Sequence, residues 1–253
     1  MASVICVANW KMNPKTALEA QHLLEVTKQS ARGISGMLII VAPPAIFLQK
    51  LTQGKMVSSF AFAIQHAHFE TGGAFTGDIS LPQAKDVGAT YAIVGHAERR
   101  QAGETNDDVR KKVGACLSLG IVPIICIGEK ERSTSGEHFG FIKEQLHSAY
   151  TNVQQGKVAH TIVAYEPVWA IGGNSAMQPQ DMHEMSIFVR KCLSEMYAPK
   201  PLTTFPKVLY GGAIDETNAL PMLQRGEVNG FLVGRASTDT AKVAALMKAI
   251  SKL

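Results

Sequence analysis

Tyr165-Glu166-Pro167-Val168-Trp169-Ala170-Ile171-Gly172-Gly173 joins the end of a β-rich run, His160 to Tyr165, to a loop that finishes on two glycines. Pro167 has no N–H to give a ladder, so the strand stops there and the Glu166 carboxylate stands at its carboxyl end. Beyond it lie Val168, Trp169, Ala170, Ile171, Gly172, Gly173, Asn174, Ser175 and Ala176. Large apolar side chains on a loop with glycines suit a lid that swings as a unit over a site. The same stretch also fits a buried strand end with an incidental surface Glu, and its neighbours in the chain decide between the two.

Outward from this segment the chain alternates. Short apolar runs at Val4–Ala8, Met37–Ala42, Phe60–Gln65, Tyr91–Val94, Val122–Ile127, His160–Tyr165, Lys207–Tyr210 and Gly230–Val233 each give way to polar or Gly/Pro residues. Between them, helical periodicity marks Thr16–Ser30, Ala45–Gln53, Leu81–Val87, Asn106–Leu119, His138–Tyr150, Pro179–Tyr197, Asn218–Gln224 and Thr240–Leu253. Pro82, Asn106-Asp107-Asp108 and Pro179 stand at helix starts. Strands buried on both faces and separated by helices make a parallel α/β sheet. Eight such units at this length predict a closed (β/α)8 barrel, with residues 1–253 as one domain. No GxGxxG follows the first strand, which removes the main reason to expect a dinucleotide fold.

Composition narrows the function. With 253 residues and 46% apolar content the chain buries a full core. A net charge of +4 from scattered Lys and Arg fits an anionic small molecule and lacks the basic stripe that nucleic acid needs. Cys6, Cys116, Cys126 and Cys192 show neither paired nor CxxC spacing, as in a reduced, intracellular protein. The apolar run Val4 to Ala8 is short for a signal peptide, and no stretch reaches the length of a membrane span. The last residues, Ser251-Lys252-Leu253, spell a peroxisomal tripeptide, but they also finish an ordinary amphipathic helix; the cytoplasm is the expected compartment and the peroxisome the alternative.

In a barrel of this kind the working residues lie at the carboxyl ends of the strands. Asn9 and Lys11 follow the first, His96 and Glu98 the fourth, Glu166 the sixth. Singly, Asn9 also suits a turn, Lys11 a solvated cation and His96 a loop or cap. Together they supply a base, an electrophile and a cation. Gly211-Gly212 and Gly234 follow the seventh and eighth strands, where backbone N–H groups and a short helix start form a phosphate cradle, although glycines there also make plain turns.

Asn9-Trp10-Lys11-Met12-Asn13, Gly73-Ala74-Phe75-Thr76-Gly77, Gly95-His96-Ala97-Glu98-Arg99-Arg100, Cys126-Ile127-Gly128-Glu129, Tyr165 to Gly172, Tyr210-Gly211-Gly212 and Gly230-Phe231-Leu232-Val233-Gly234 resemble the triosephosphate isomerase family, in order and along the whole chain. The resemblance implies a cofactor-free, metal-free enzyme that interconverts dihydroxyacetone phosphate and glyceraldehyde 3-phosphate in glycolysis and gluconeogenesis, working as a homodimer. It implies Glu166 as base, His96 as a neutral electrophile, and Lys11 and Asn9 as stabilisers of the enediolate oxygens. Glu98 becomes a charge partner that keeps the cation placed. Gly172, Ala213, Gly234 and Arg235 become the phosphate grip, and Phe75 and Thr76 a loop that docks on a partner subunit; a loop tucked onto its own barrel is the plainer reading of that segment.

Four departures touch the grip and the lid. The family has Ser where this chain has Ala97 and Ala213, Gly where it has Arg235, and a Thr-Gly-Lys-type segment where it reads Gly173-Asn174-Ser175. Arg235 either adds charge to the phosphate site or points outward. Two alternatives follow: an isomerase for a longer tetrulose phosphate, or a barrel that binds a phosphometabolite without turnover. A carboxylate opposing an anionic ligand has no use in a pure binder, which argues against the second.

Overall fold

The computed structural model describes residues 4–54, 57–132, 135–170 and 176–253. Its strands are β1 (Val4–Asn9), β2 (Met37–Ala42), β3 (Phe60–Ile64), β4 (Tyr91–Val94), β5 (Val122–Ile127), β6 (Ile162–Tyr165), β7 (Lys207–Tyr210) and β8 (Gly230–Val233). Each pairs in parallel with the next, and β8 returns to β1 with Ile5 opposite Gly230, so the sheet closes on itself and leaves no edge. The expected (β/α)8 barrel is the fold.

The period of two along each strand builds two cores. Ile5 and Val7 of β1 join Ile40, Ala63, Ile93, Ile124, Ile162, Leu209 and Leu232 in a cluster made only of strand residues, the barrel interior. Val4, Cys6 and Ala8 face the other way and pack with residues of the outer helices. Burying an aliphatic side chain on either face stabilises by roughly 1.5–3 kcal/mol, which is why these strands read as unbroken apolar runs.

The helices are α1 (Ala17–Ser30), α2 (Ala45–Thr52), α3 (Leu81–Asp86), α4 (Ala97–Gln101), α5 (Asn106–Leu119), α6 (Glu137–Tyr150), α7 (Pro179–Met196), α8 (Ala219–Arg225) and α9 (Thr240–Ile250). Capping boxes start three of them: Thr16 with Glu19, Ser80 with Gln83 and Thr105 with Asp108. Asp239 caps α9, which packs against α1 so that the two ends of the barrel wall meet.

The elements differ from the sequence reading at three strand boundaries and in one short helix. β1 runs one residue further, to Asn9, and β3 stops at Ile64, which leaves Gln65 outside the ladder. His160 does not begin β6. It ends a 3-10 turn, Gln155–His160, because the Thr161 N–H bonds back to Val158 before the strand starts. The short helix α4 had no counterpart in the periodicity, since Ala-Glu-Arg-Arg-Gln carries no apolar stripe.

Candidate active site

The carboxyl ends of β1, β4 and β6 bring Lys11, His96 and Glu166 to one mouth of the barrel, in a cleft of about 700 Å³. Glu166 is only 2% exposed. Its backbone is tied to neighbouring strands: its N–H donates to the Ile127 carbonyl at 2.7 Å, and the Gly211 N–H donates to Tyr165 at 2.8 Å. Two glycines make room. A Cβ on Gly128 would fall 1.7 Å from the Glu166 carbonyl oxygen, and one on Gly211 would fall 2.8 Å from the Glu166 Cγ. The Glu166 carboxylate is therefore seated by close backbone approach that no larger residue permits.

His96 is the N-cap of α4, and its Nδ1 accepts the Glu98 N–H at 3.2 Å. A ring nitrogen that accepts carries no proton, so the bonding pattern assigns the neutral tautomer with hydrogen on Nε2. That Nε2 lies 3.2 Å from Glu166 Oε1, and the other carboxylate oxygen accepts the Ala97 N–H at 3.1 Å. A hydroxyl at position 97 is not required to hold the carboxylate here, because the backbone does so.

Lys11 has a left-handed backbone, φ 53°, and its N–H donates to the Asn9 side chain at 3.1 Å. Its Nζ is 2.5 Å from Glu98 Oε1. Burial raises the Glu98 carboxyl, but the hydrogen bond and charge of Lys11 outweigh it and hold the group below the usual carboxylate range. Lys11 thus stays beside the cleft with its charge partly matched. Gly234 leaves space for its stem, since a Cβ there would sit 3.3 Å from Lys11 Cε.

Of the other residues singled out in the sequence, Asn9, Ala176, Ala213, Gly234 and Arg235 line the same cleft. Ile171, Gly172, Gly173, Asn174 and Ser175 lie outside the described residues. Val168–Ala170, the part of the expected lid that precedes them, forms a 3-10 turn. Phe75 and Thr76 are not part of the cleft lining; the Phe75 ring stacks on His68 with centroids 4.1 Å apart and is 43% exposed.

Three residues with no role in the sequence reading anchor these parts. Glu129 accepts the Tyr165 hydroxyl at 2.8 Å and the Trp169 indole N–H at 2.8 Å, so one carboxylate ties the strand behind Glu166 to the turn Val168–Ala170. Further along the chain, the Tyr210 hydroxyl accepts the Met177 N–H at 3.1 Å. Gln65 bonds the Lys11 carbonyl. Glu129 and Tyr210 stood inside quoted motifs, but an anchor is a contact across space and has no signature in spacing.

A parallel eight-stranded barrel whose mouth converges a buried carboxylate, an imidazole and an ammonium has the groups that can move a proton beside a carbonyl, as an isomerase does. The family model described as "Triosephosphate isomerase" matches residues 4–250. Triosephosphate isomerase of Aquifex aeolicus (strain VF5) is 37% identical over 250 residues, covering 96% of this chain and 98% of that protein. Triosephosphate isomerase of Endomicrobium trichonymphae is 35% identical over 251 residues, covering 98% and 99%. The chain belongs to the triosephosphate isomerase family, and with it comes the interconversion of the two triose phosphates.

Proposed function

We propose that Glu166 is the base of this isomerisation. It takes a proton from the hydroxyl-bearing carbon of dihydroxyacetone phosphate. Charge then grows on the neighbouring carbonyl oxygen, where the His96 Nε2–H and the Lys11 ammonium, with the Asn9 amide, receive it. The proton shifts between the two oxygens and Glu166 returns its own to the adjacent carbon, giving glyceraldehyde 3-phosphate. Backbone N–H groups of Gly172, Ala213 and Gly234 hold the phosphate, with Arg235 at the rim, while the lid from Pro167 to Ala176 excludes the water that would let an enediolate expel its phosphate. Glu98 keeps Lys11 in place. The observation that carries this reading is the 3.2 Å approach of His96 Nε2 to Glu166 Oε1 in the cleft that Lys11 lines.

We further propose that residues 1–253 act as one domain, in the cytoplasm, as a homodimer joined through the Phe75-Thr76 loop. Four buried free cysteines fit a reducing compartment. The partly exposed Phe75 ring and Met12, 92% exposed next to Lys11, favour a second copy of the chain as cover.

Steady-state isomerisation of glyceraldehyde 3-phosphate by Glu166→Gln tests the central role. A general base contributes roughly 10²–10⁴-fold, so kcat falls by that factor while affinity for a phosphate ligand stays nearly intact. A loss under about tenfold contradicts the assignment.

A further inference from the structure

Behind the cleft lies a second, smaller cavity of about 240 Å³. Ala97, Gln101, Glu166 and Val168 line both, so the Glu166 carboxylate stands in a wall between them. The rear cavity has an open and a closed end. Gln101, Lys130 and Phe141 are exposed and form its outer end, while Ile127, Gly128 and Gln145 are buried and close it. The Gln145 amide is spent on the Gly128 backbone, accepting its N–H at 2.8 Å and donating to its carbonyl at 3.3 Å. Ala97 offers a methyl where the family has a hydroxyl, so with Ile127 it makes the closed end largely apolar.

The charges on this cavity do not balance. Arg100 and Lys130 are its cations and Glu166 its anion. The Arg100 guanidinium already donates to the Gly95 carbonyl, the Asn106 side chain and the Cys126 carbonyl. Lys130 makes no hydrogen bond or ion pair among the described residues, and the Gln101 amide and Asn106 Nδ2 have no acceptor there. Beside these donors the Phe141 ring is left 44% exposed. A bare phosphate would leave the apolar end unfilled, and a neutral apolar molecule would leave Lys130 without a counter-charge. A few convergent polar groups on an otherwise apolar concavity are the ordinary make-up of a small-molecule site.

We infer that this cavity is a second ligand site, for a small carboxylate with an apolar body, whose occupant restrains Glu166 from behind. Interiors are close-packed, so a wall yields into whatever space lies next to it. The carboxylate has to shift between two carbons of the substrate, and an occupant fills the space into which Ala97, Glu166 and Val168 give way. The restraint rests on the reading of Glu166 as base; the binding does not.

The probe is para-fluorobenzoate, for which a Kd on the order of 1–10 mM is expected at about ten heavy atoms. Fluorine NMR is expected to show it bound to the wild type both with the cleft empty and with the cleft filled by a phosphorylated hydroxamate that mimics the enediolate. Lys130→Glu weakens binding by about fivefold or more and Phe141→Ala by about threefold or more. Both side chains are exposed, so neither change disturbs the core. In steady-state assays with glyceraldehyde 3-phosphate, saturating probe lowers kcat severalfold with KM unchanged, relative to an equimolar chloride control, because occupant and substrate meet opposite faces of one wall. No binding, binding displaced by the hydroxamate, or equal binding in Lys130→Glu overturns the site. Binding that leaves kcat unchanged overturns the restraint. A wild type that binds the probe behind Glu166 but has no isomerase activity contradicts the functional reading and leaves the site standing.

Discussion

His66 sits between two cations: its Nδ1 is 3.4 Å from Lys112 Nζ and its Nε2 is 3.2 Å from Arg99 Nη2. Burial, then the Lys112 and Arg99 charges, lower its pKa from 6.5 to about 4, with Glu104 and Asp78 opposing more weakly. The unfolded chain therefore binds this proton more readily than the folded one between those two values, and stability rises with pH across that window. Above pH 6.5 the contribution is fully present; as pH falls toward 4 it is lost. Asp108 and Asp215, held below their usual 3.8 by hydrogen bonds, lose theirs only at lower pH, so the windows separate. Thermal melts are expected to show the wild type losing stability between pH 6.5 and 4, and His66→Gln with a shallower slope there; identical slopes would show that His66 does not titrate as described. The exposed Lys11–Glu98 pair acts differently. At such exposure a salt bridge adds roughly 0–1 kcal/mol, so its use is to aim Lys11 rather than to stabilise the fold. At this scale the gathering of Glu166, His96 and Lys11 in one cleft was legible in the sequence, because they are unusual residues at strand ends. The hydrogen bonds of Gln65 were not, because it read as the last residue of an apolar strand and they appear only when three strand ends meet.

The approach of β5 and β6 carries a consequence for the Glu166 carboxylate. Gly128 follows β5, and a Cβ there would overlap the Glu166 carbonyl oxygen at 1.7 Å, a contact that no rotamer relieves because both partners are backbone. Gly128→Ala is expected to move Glu166 and cut kcat by roughly 10²-fold, with lowered thermal stability. A variant with full kcat would show that the strand ends yield without disturbing the carboxylate. Helix α4 teaches a related point about legibility. Its five residues hold no apolar stripe, so the 3.6-residue pattern that found the longer helices had nothing to detect. Yet its first turn supplies the Glu98 N–H that sets the His96 tautomer and the Ala97 N–H that holds Glu166. The sequence reading offered His96 as a loop or cap residue, and a cap is what it is; the consequence for its proton required the helix.

Across the whole molecule, closure of the barrel was legible because it follows from counting: eight buried strands, helices between them, and no dinucleotide loop. Several large apolar side chains stay exposed on the single chain. Met12 and Ile46 are 92% and 83% exposed, and Phe75 shares its ring between His68 and the surface. Replacing Phe75 and Thr76 together by Asp is expected to give monomers with reduced activity in sedimentation and steady-state assays, since charge on a buried interface loop carries an uncompensated desolvation cost. A wild type that is monomeric at micromolar concentration yet fully active would contradict the homodimer.

The most direct measurement of the central claim follows the proton. Dihydroxyacetone phosphate is converted in D2O and the glyceraldehyde 3-phosphate is examined by NMR. A proton carried on the Glu166 carboxyl exchanges with solvent before it returns, so deuterium is expected at carbon 2 of the product, and its rate of appearance falls with turnover in Glu166→Gln. Deuterated product formed by Glu166→Gln at the wild-type rate would contradict a carboxylate base at Glu166.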